Sequence, residues 1–284
     1  VLSVSFSSDG SYIVSGARNG EVRIWDAVTG TVLLACRGHR GAVTKAIFSP
    51  DDLYILSGGN DGTARLWDAR SGAEPLVGHT GTVRAIVFSP DGSRILTAGD
   101  DTIRLWDTLT GNEVRVFQRL WDISHPPNDK ATPDRVDAVA FSPDGTQFAS
   151  GSRSGTVSLW NMATLVCIGR MKGHLDWIPC IQFSWDNTRI LSGSADTTLR
   201  MWSTNGKCLG TFAGHTGLVQ VAIFSQDAAQ LASGSSDGTI RLWNASTGEQ
   251  IHVYYNQSVI TCLAFSLDEE YIVSGDDALT VPLW

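Results

Sequence analysis

Three sets of side chains in this chain carry the residue types of an acyl-transfer catalyst. They are His39, Ser57 and Asp61; His174, Ser192 and Asp196; and His215, Ser233 and Asp237. A hydroxyl becomes a nucleophile when a base takes its proton, a third group orients that base and an oxyanion hole receives the developing charge. The spacing speaks against that role. In each set the aspartate stands six residues before a tryptophan (Trp67, Trp202 and Trp243). Three copies of one constellation in fixed register indicate a repeated structural device, and no nucleophile or metal cluster is visible outside that register. The expectation is therefore a non-enzyme, with no catalytic residue, no metal and no cofactor.

The elements that position these residues are themselves periodic. Tryptophan closes the same short phrase, such as RIW, RLW or RMW, at Trp25, Trp67, Trp106, Trp160, Trp202, Trp243 and Trp284, with successive gaps of 42, 39, 54, 42, 41 and 41 residues. Such a period marks stacked supersecondary units, none of which can bury its apolar face alone. Residues 214 to 248 show one unit: LVQVAIFS ending at Phe224, the turn SQDA, AQLASGS, the turn SSDG, TIRLW, the turn NASTG, and EQIHVYY. Alternation of period two, β-branched residues and Gly/Asp/Ser clusters every 8–12 residues predict a meander of four short strands, here called a to d. The turns Ser89-Pro90-Asp91-Gly92 and Ser142-Pro143-Asp144-Gly145 place proline second and glycine fourth, as a type I turn favours. Phe6, Phe48, Phe88, Phe141, Phe183, Phe224 and Phe265 keep the same register as the tryptophans. Seven such units cannot bury themselves as one flat sheet, whereas radial closure leaves only short edges.

Composition narrows the class further. The chain has 284 residues, a net charge of −8 and five cysteines, Cys36, Cys167, Cys180, Cys208 and Cys262, without CxxC spacing. Free buried thiols in a reducing compartment, and so a cytoplasmic location, are expected. The acidic balance disfavours nucleic acid, because phosphate contacts need a basic stripe. Arg23, Arg65, Arg104, Arg200 and Arg241 are moreover taken by the repeat, each two residues before its tryptophan. No apolar run approaches the roughly 18 residues of a membrane-spanning helix.

The phrases GH…FSPDG…SGSxDGTIRLWD resemble the WD-repeat family, and the match covers the whole chain, 1–284, as a single domain. The resemblance implies an all-β, seven-bladed β-propeller of four-stranded antiparallel blades with strand a lining a central channel. It implies that the d–a and b–c loops form one face, the top, which often binds partners. It also implies a hydrogen-bonded chain in each blade from Trp through Ser or Thr and His to Asp. The chains would be His39, Ser57, Asp61 and Trp67; His79, Thr97 and Trp106; His174, Ser192, Asp196 and Trp202; and His215, Ser233, Asp237 and Trp243. In blade 3 the turn GDDT is one residue short, so Asp100 fits imperfectly. Blade 4 lacks Gly-His and carries Ser154 at the aspartate position; blade 1 has Asn19 there and blade 7 has Ala278. Blades 4, 7 and 1 are expected to be looser.

The chain lengthens between the third and fourth tryptophans. Residues 118–135, QRLWDISHPPNDKATPDR, contain Pro126, Pro127 and Pro133, which predict a projecting top-face loop. It is either a tolerated surface insertion or a partner-contacting flap built around Trp121 and His125. Asp122, His125 and Asp129 are too few ligands in too loose a setting for a metal. Trp177, just before strand a of blade 5, either faces the channel mouth or packs inward over Ile178 and Pro179. With Arg84, Arg135, Arg153, Arg18 and Gln220 it makes up the candidate partner-binding set, since tryptophan beside arginine is common in binding hot spots. Trp185, in SWDN, falls on the opposite face. Lys45 is placed to line a wet channel.

The chain begins inside strand a of blade 1 and stops at Trp284, before an outer strand of blade 7. The expectation is a part of a longer chain or complex, with a three-stranded last blade as the rival explanation and Pro282 as its support. The expected function is a non-catalytic interaction scaffold holding a protein or peptide on its top face. Trp67-Asp68-Ala69-Arg70 resembles the WDxR box of cullin-4 ligase receptors, which makes a ubiquitin-ligase substrate receptor one alternative. The uniform repeats also resemble the arrays that follow nucleotide-binding domains in fungal signal-sensing proteins, which makes a ligand-sensing domain another.

Overall fold

Short strands of four to seven residues follow one another along the chain, joined by tight turns. The computed structural model describes residues 1–69, 72–99, 102–117, 134–266, 268–278 and 280–284. Among these residues there are strands and turns and no helix. The strands form seven consecutive antiparallel sheets, the order and number that a seven-bladed β-propeller requires. Sheet 6 shows the pattern, with strands Val219–Phe224, Gln230–Ser235, Thr239–Asn244 and Gln250–Tyr255 paired in chain order. The first strands of the other sheets are Ser3–Phe6, Val43–Phe48, Val83–Phe88, Val136–Phe141, Cys180–Phe183 and Ile260–Phe265. Sheets 1 to 6 have four strands. Sheet 7 pairs Ile260–Phe265 with Ile272–Asp276, and a third segment bonds through the N–H of Trp284 to the carbonyl of Ile272 at 2.8 Å. That places Trp284 against Ile272 as Trp243 stands against Leu231.

The chain divides into two compact units, Val1–Val139 and Ala140–Trp284. Within each, the apolar residues of a sheet's second and third strands pack against the first strand of the next sheet. Val14, Val22 and Ile24 of sheet 1 meet Val43, Ala46, Ile55 and Trp67 of sheet 2. In the second unit Leu191, Leu199 and Met201 meet Val219, Ala222, Phe224 and Trp243. The strands read as apolar on both faces because both faces are covered, so no blade-sized piece holds its own core.

Turns between first and second strands add a second link between neighbours. In three of these turns the residue at the left-handed position is polar and its side chain reaches back one sheet, whereas Ala228 (φ 54°) packs into the core instead. Asp52 (φ 58°) accepts the N–H of Ser8 at 2.8 Å, and Asn187 (φ 59°) accepts that of Asp144 at 3.0 Å. Glu269 (φ 60°) accepts the N–H of Gln226. Such a φ is uncommon outside glycine, and it is held here by the bond the side chain makes.

Candidate functional site

The histidine sets are hydrogen-bonded supports. Ser233 lies ten residues before Trp243, and the register Leu231↔Trp243 with Ser233↔Arg241 puts them diagonally across two strands. The indole N–H of Trp243 therefore donates to Ser233 Oγ at 2.9 Å. His215 Nε2 lies 2.8 Å from the same oxygen, and His215 Nδ1 lies 3.0 Å from Asp237 Oδ2. A carboxylate only accepts, so Nδ1 carries the proton and Nε2 accepts from the serine hydroxyl. Every polar atom in the row thus has a defined direction.

Sheets 2 and 5 repeat the geometry. His39 Nε2 to Ser57 Oγ is 2.8 Å and Trp67 Nε1 to Ser57 Oγ is 2.7 Å; the corresponding distances at Ser192 are 2.9 Å from His174 and 2.8 Å from Trp202. Ser57, Ser192 and Ser233 are 0% exposed, so no substrate reaches these hydroxyls. Burial holds His39, His174 and His215 below the ordinary imidazole value, against the pull of their aspartates. Burial also pushes Asp61, Asp196 and Asp237 up, but donors outweigh it and hold each at about 2. Those donors include the backbone N–H of Arg40, Leu175 and Thr216 and the hydroxyls of Thr63, Thr198 and Thr239.

The glycine of each Gly-His pair has a packing reason. A Cβ on Gly214 would stand 2.8 Å from Arg241 Nη1 and 3.1 Å from Trp243 Cη2; Gly38, Gly78 and Gly173 meet the corresponding arginine and tryptophan of their own sheets. The arginines lie over the indoles, Arg65 and Arg200 at 5.9 and 6.0 Å from the ring centroids. The arginine two residues before each tryptophan, the glycine and the histidine are one packed assembly.

The departures fall out unevenly. In sheet 3, Thr97 takes the serine's place, 2.8 Å from both His79 Nε2 and Trp106 Nε1; Asp100 lies outside the described residues. In sheet 4, Trp160 reaches Ser150 at 3.2 Å and Ser154 bonds the hydroxyls of Ser152 and Thr156. In sheet 1, Asn19 bonds Glu21 while Trp25 donates to Ser15 at 2.8 Å. Sheet 7 corrects the expectation from Ala278. Asp276, two residues earlier, is buried and accepts from Asn256 Nδ2 at 2.8 Å and from the backbone N–H of Thr280 at 2.8 Å. Asn256 occupies the histidine's place and bonds Asp276, and Trp284 donates to Ser274 at 2.9 Å, so sheet 7 keeps both ends of the row with a different composition.

Within each unit, the described partner-face candidates lie at the end of the sheets where third strands begin and fourth strands end. First strands carry a β-bulge there, and the extra residue is Thr44, Arg84, Gln220 or Thr261. A bulge leaves one residue outside the ladder and re-aims its side chain. Thr44 turns its hydroxyl onto the carbonyls of Gly58 and Val83 at 2.9 and 2.7 Å. Arg84 and Arg135 are brought together in the first unit on Asp137, a buried carboxylate that the motif reading missed. Asp137 Oδ1 pairs with Arg84 Nε at 3.2 Å, and Arg135 Nε donates to Oδ2 at 3.0 Å. Its signal was its place one residue after Val136, as Arg84 follows Val83. Arg18 is exposed in the turn of sheet 1.

In the second unit, Arg153 is exposed in a turn where a Cβ on Gly155 would stand 3.1 Å from the carbonyl of Asp176, so this turn abuts the loop bearing Trp177. Trp177 is half-buried with its indole nitrogen shielded from water, and its carbonyl accepts the N–H of Ala195 at 2.8 Å. Of the two expectations for it, packing inward is the nearer. Leu175, which the sequence reading passed over, is 88% exposed beside it. Gln220 is half-buried on the adjoining first strand, and Trp185 is 59% exposed at the other end of its sheet. Trp121, His125 and most of the insertion, with Asp122 and Asp129, lie outside the described residues, as does Arg70.

Lys45 is exposed, and desolvation by the surrounding protein holds its pKa below the ordinary lysine value. The cysteines correct one expectation: all five are free, but among them Cys36 alone is fully buried, and Cys208 and Cys262 are exposed. Burial pushes the thiols of Cys36 and Cys180 up to about 11 and about 12, far from thiolate reactivity.

Comparison with known proteins agrees with this geometry. The family model "WD domain, G-beta repeat" matches residues 1–26, 30–68, 73–107, 128–161, 165–203, 206–244 and 248–284, one match for each sheet. An uncharacterized WD repeat-containing protein of Nostoc sp. is 49% identical over 43 residues, which are 15% of this chain and 3% of that protein. Nuclear distribution protein PAC1 of Gibberella zeae is 35% identical over 85 residues, 27% of this chain and 16% of that protein. The chain thus spans a small fraction of the length of the curated relatives it matches. With seven repeat matches coinciding with seven successive antiparallel sheets, as in a seven-bladed β-propeller, the chain belongs to the WD-repeat family.

Proposed function

We propose that this protein is a non-catalytic interaction module that holds a protein or peptide partner at the loop end of its sheets. WD repeats generally mediate protein–protein interaction. The observation that carries the reading is the bulge at the start of the first strands, which takes Arg84 and Gln220 out of the ladder at the end where the turns gather. In the first unit Arg18, Arg84 and Arg135 contribute to this end; in the second, Arg153, Leu175, Trp177 and Gln220 do. The residue types fit a binding surface, with aromatic and arginine side chains beside an exposed leucine. The histidine–serine–aspartate rows are consumed in supporting the sheets, which leaves them no catalytic role.

The test is affinity capture from the source organism with the wild-type chain, Trp177→Ala combined with Arg135→Ala, and Trp185→Ala. A partner retained by the wild type and by Trp185→Ala, but lost from the double variant at an unchanged melting temperature, supports the loop end. Retention by the double variant with loss from Trp185→Ala would move the binding face to the opposite end.

A further inference from the structure

We propose that the peptide partner presents a carboxylate side chain, aspartate or glutamate, to the guanidinium of Arg84; this rests on the reading of the loop end as a binding face. Arg84 is the bulged residue of its strand, between Val83 opposite Gly99 and Ala85 opposite Ala98. Its side chain is 36% exposed, and its one ion pair among the described residues is from Nε to the buried carboxylate of Asp137 at 3.2 Å. The Nη1–Nη2 edge of the fork has no hydrogen-bond partner among the described residues. A guanidinium held at Nε is already oriented, and its terminal pair of amino groups matches the two oxygens of an incoming carboxylate.

Asp137 does not depend on Arg84 for its charge balance, because Arg135 Nε also donates to it at 3.0 Å. Arg84 is thus placed by the fold without being needed for it, which is the arrangement of a preorganised recognition residue. Charge complementarity points the same way. The loop end of sheets 1 to 3 exposes Arg18, Arg40 and Arg84, whereas Glu21 is engaged there by Arg23 and Arg37 and Asp61 by His39; Asp137, on the first strand of sheet 4, is held by two arginines. Among the described residues this end thus carries exposed positive charge in a chain of net charge −8, which draws an acidic segment and orients it on approach.

The experiment is selection of random 12-residue peptides displayed on phage against the full chain, followed by anisotropy titration of the enriched peptides with wild type, Arg84→Gln and Trp177→Ala. The expected result is a shared Asp or Glu at one position of the enriched peptides. Changing that residue to its amide, or Arg84 to Gln, weakens binding by about 10- to 100-fold, and the two changes together cost little more than either. The melting temperature of Arg84→Gln stays within a few degrees of wild type, because Arg135 still holds Asp137.

Enriched peptides that lose affinity with Trp177→Ala but bind Arg84→Gln unchanged would overturn the carboxylate assignment and leave the binding face standing. A phosphoserine peptide that binds through Arg84 where its glutamate counterpart does not would overturn it in favour of a phosphate. Enrichment of no peptide would overturn this proposal together with the reading beneath it.

Discussion

His215 Nε2 and Ser233 Oγ stand 2.8 Å apart, and the serine oxygen at the same time receives the indole N–H of Trp243. A hydroxyl caught between a tryptophan and a histidine, and 0% exposed, is a structural link. Its removal strands a buried donor. We expect Ser233→Ala to cost about 1–3 kcal/mol, the penalty for an unsatisfied buried polar group. Ser233→Thr is expected to cost less, because Thr97 makes the same two bonds in sheet 3. Denaturant unfolding of the two variants checks this, and equal losses would contradict it.

The histidine–aspartate pairs make stability fall in acid, in two stages. His39, His174 and His215 have folded-state values below 6.5, so the unfolded chain binds protons first, and stability present above pH 6.5 is lost as pH falls below it. Asp61, Asp196 and Asp237 have folded values of about 2 against an ordinary 3.8, so their contribution is present above 3.8 and disappears as pH falls toward 2. Each carboxylate contributes on the order of 2 kcal/mol. Melting temperature against pH should slope downward from near neutrality and steepen below pH 4. A His215→Gln variant should show a shallower upper slope.

Sheet 4 is expected to open more readily than its neighbours. Its turn is held by Ser154 bonding Ser152 and Thr156, where sheets 5 and 6 place an aspartate that also fixes a histidine and a loop N–H. Hydrogen exchange of the amides from Ser152 to Val157 should be faster than from Ser235 to Ile240. Sheet 7, with Asp276 and Asn256, should sit on the protected side. Equal rates at the two turns would contradict this.

Asp52 holds a left-handed backbone and bonds the neighbouring turn through its carboxylate. Asp52→Ala keeps the strain and loses the bond, so it should cost about 1–2 kcal/mol, whereas Asp52→Gly relieves the strain and should cost less than half of that. Thermal unfolding of the pair separates the two contributions.

Much of this was legible in the sequence for a simple reason. A tryptophan, its arginine, a Gly-His and a Ser/Asp pair must all fit one packed assembly, so their types and spacing repeat wherever the assembly does. What stayed hidden depended on geometry that spacing does not encode. Asp276 replaces the aspartate from two positions earlier, because the turn of sheet 7 lets a different residue reach Asn256 and Thr280. Asp137 is one charge among many in the sequence, and only the fold brings two arginines onto it. Spacing left Trp177 two placements, at a channel mouth or packed inward; its loop folds the indole nitrogen away from water and leaves Leu175 88% exposed beside it.

The most direct test of the binding face is a hydrogen-exchange footprint of the chain with and without a captured partner. Slowed exchange should concentrate at residues 40–44, 82–85, 135–137, 153–155 and 175–178, with the turn from Ser184 to Thr188 unchanged. Protection confined to the turns between first and second strands, around Trp185 and Asp52, would contradict the loop-end site and with it the account of how this protein binds.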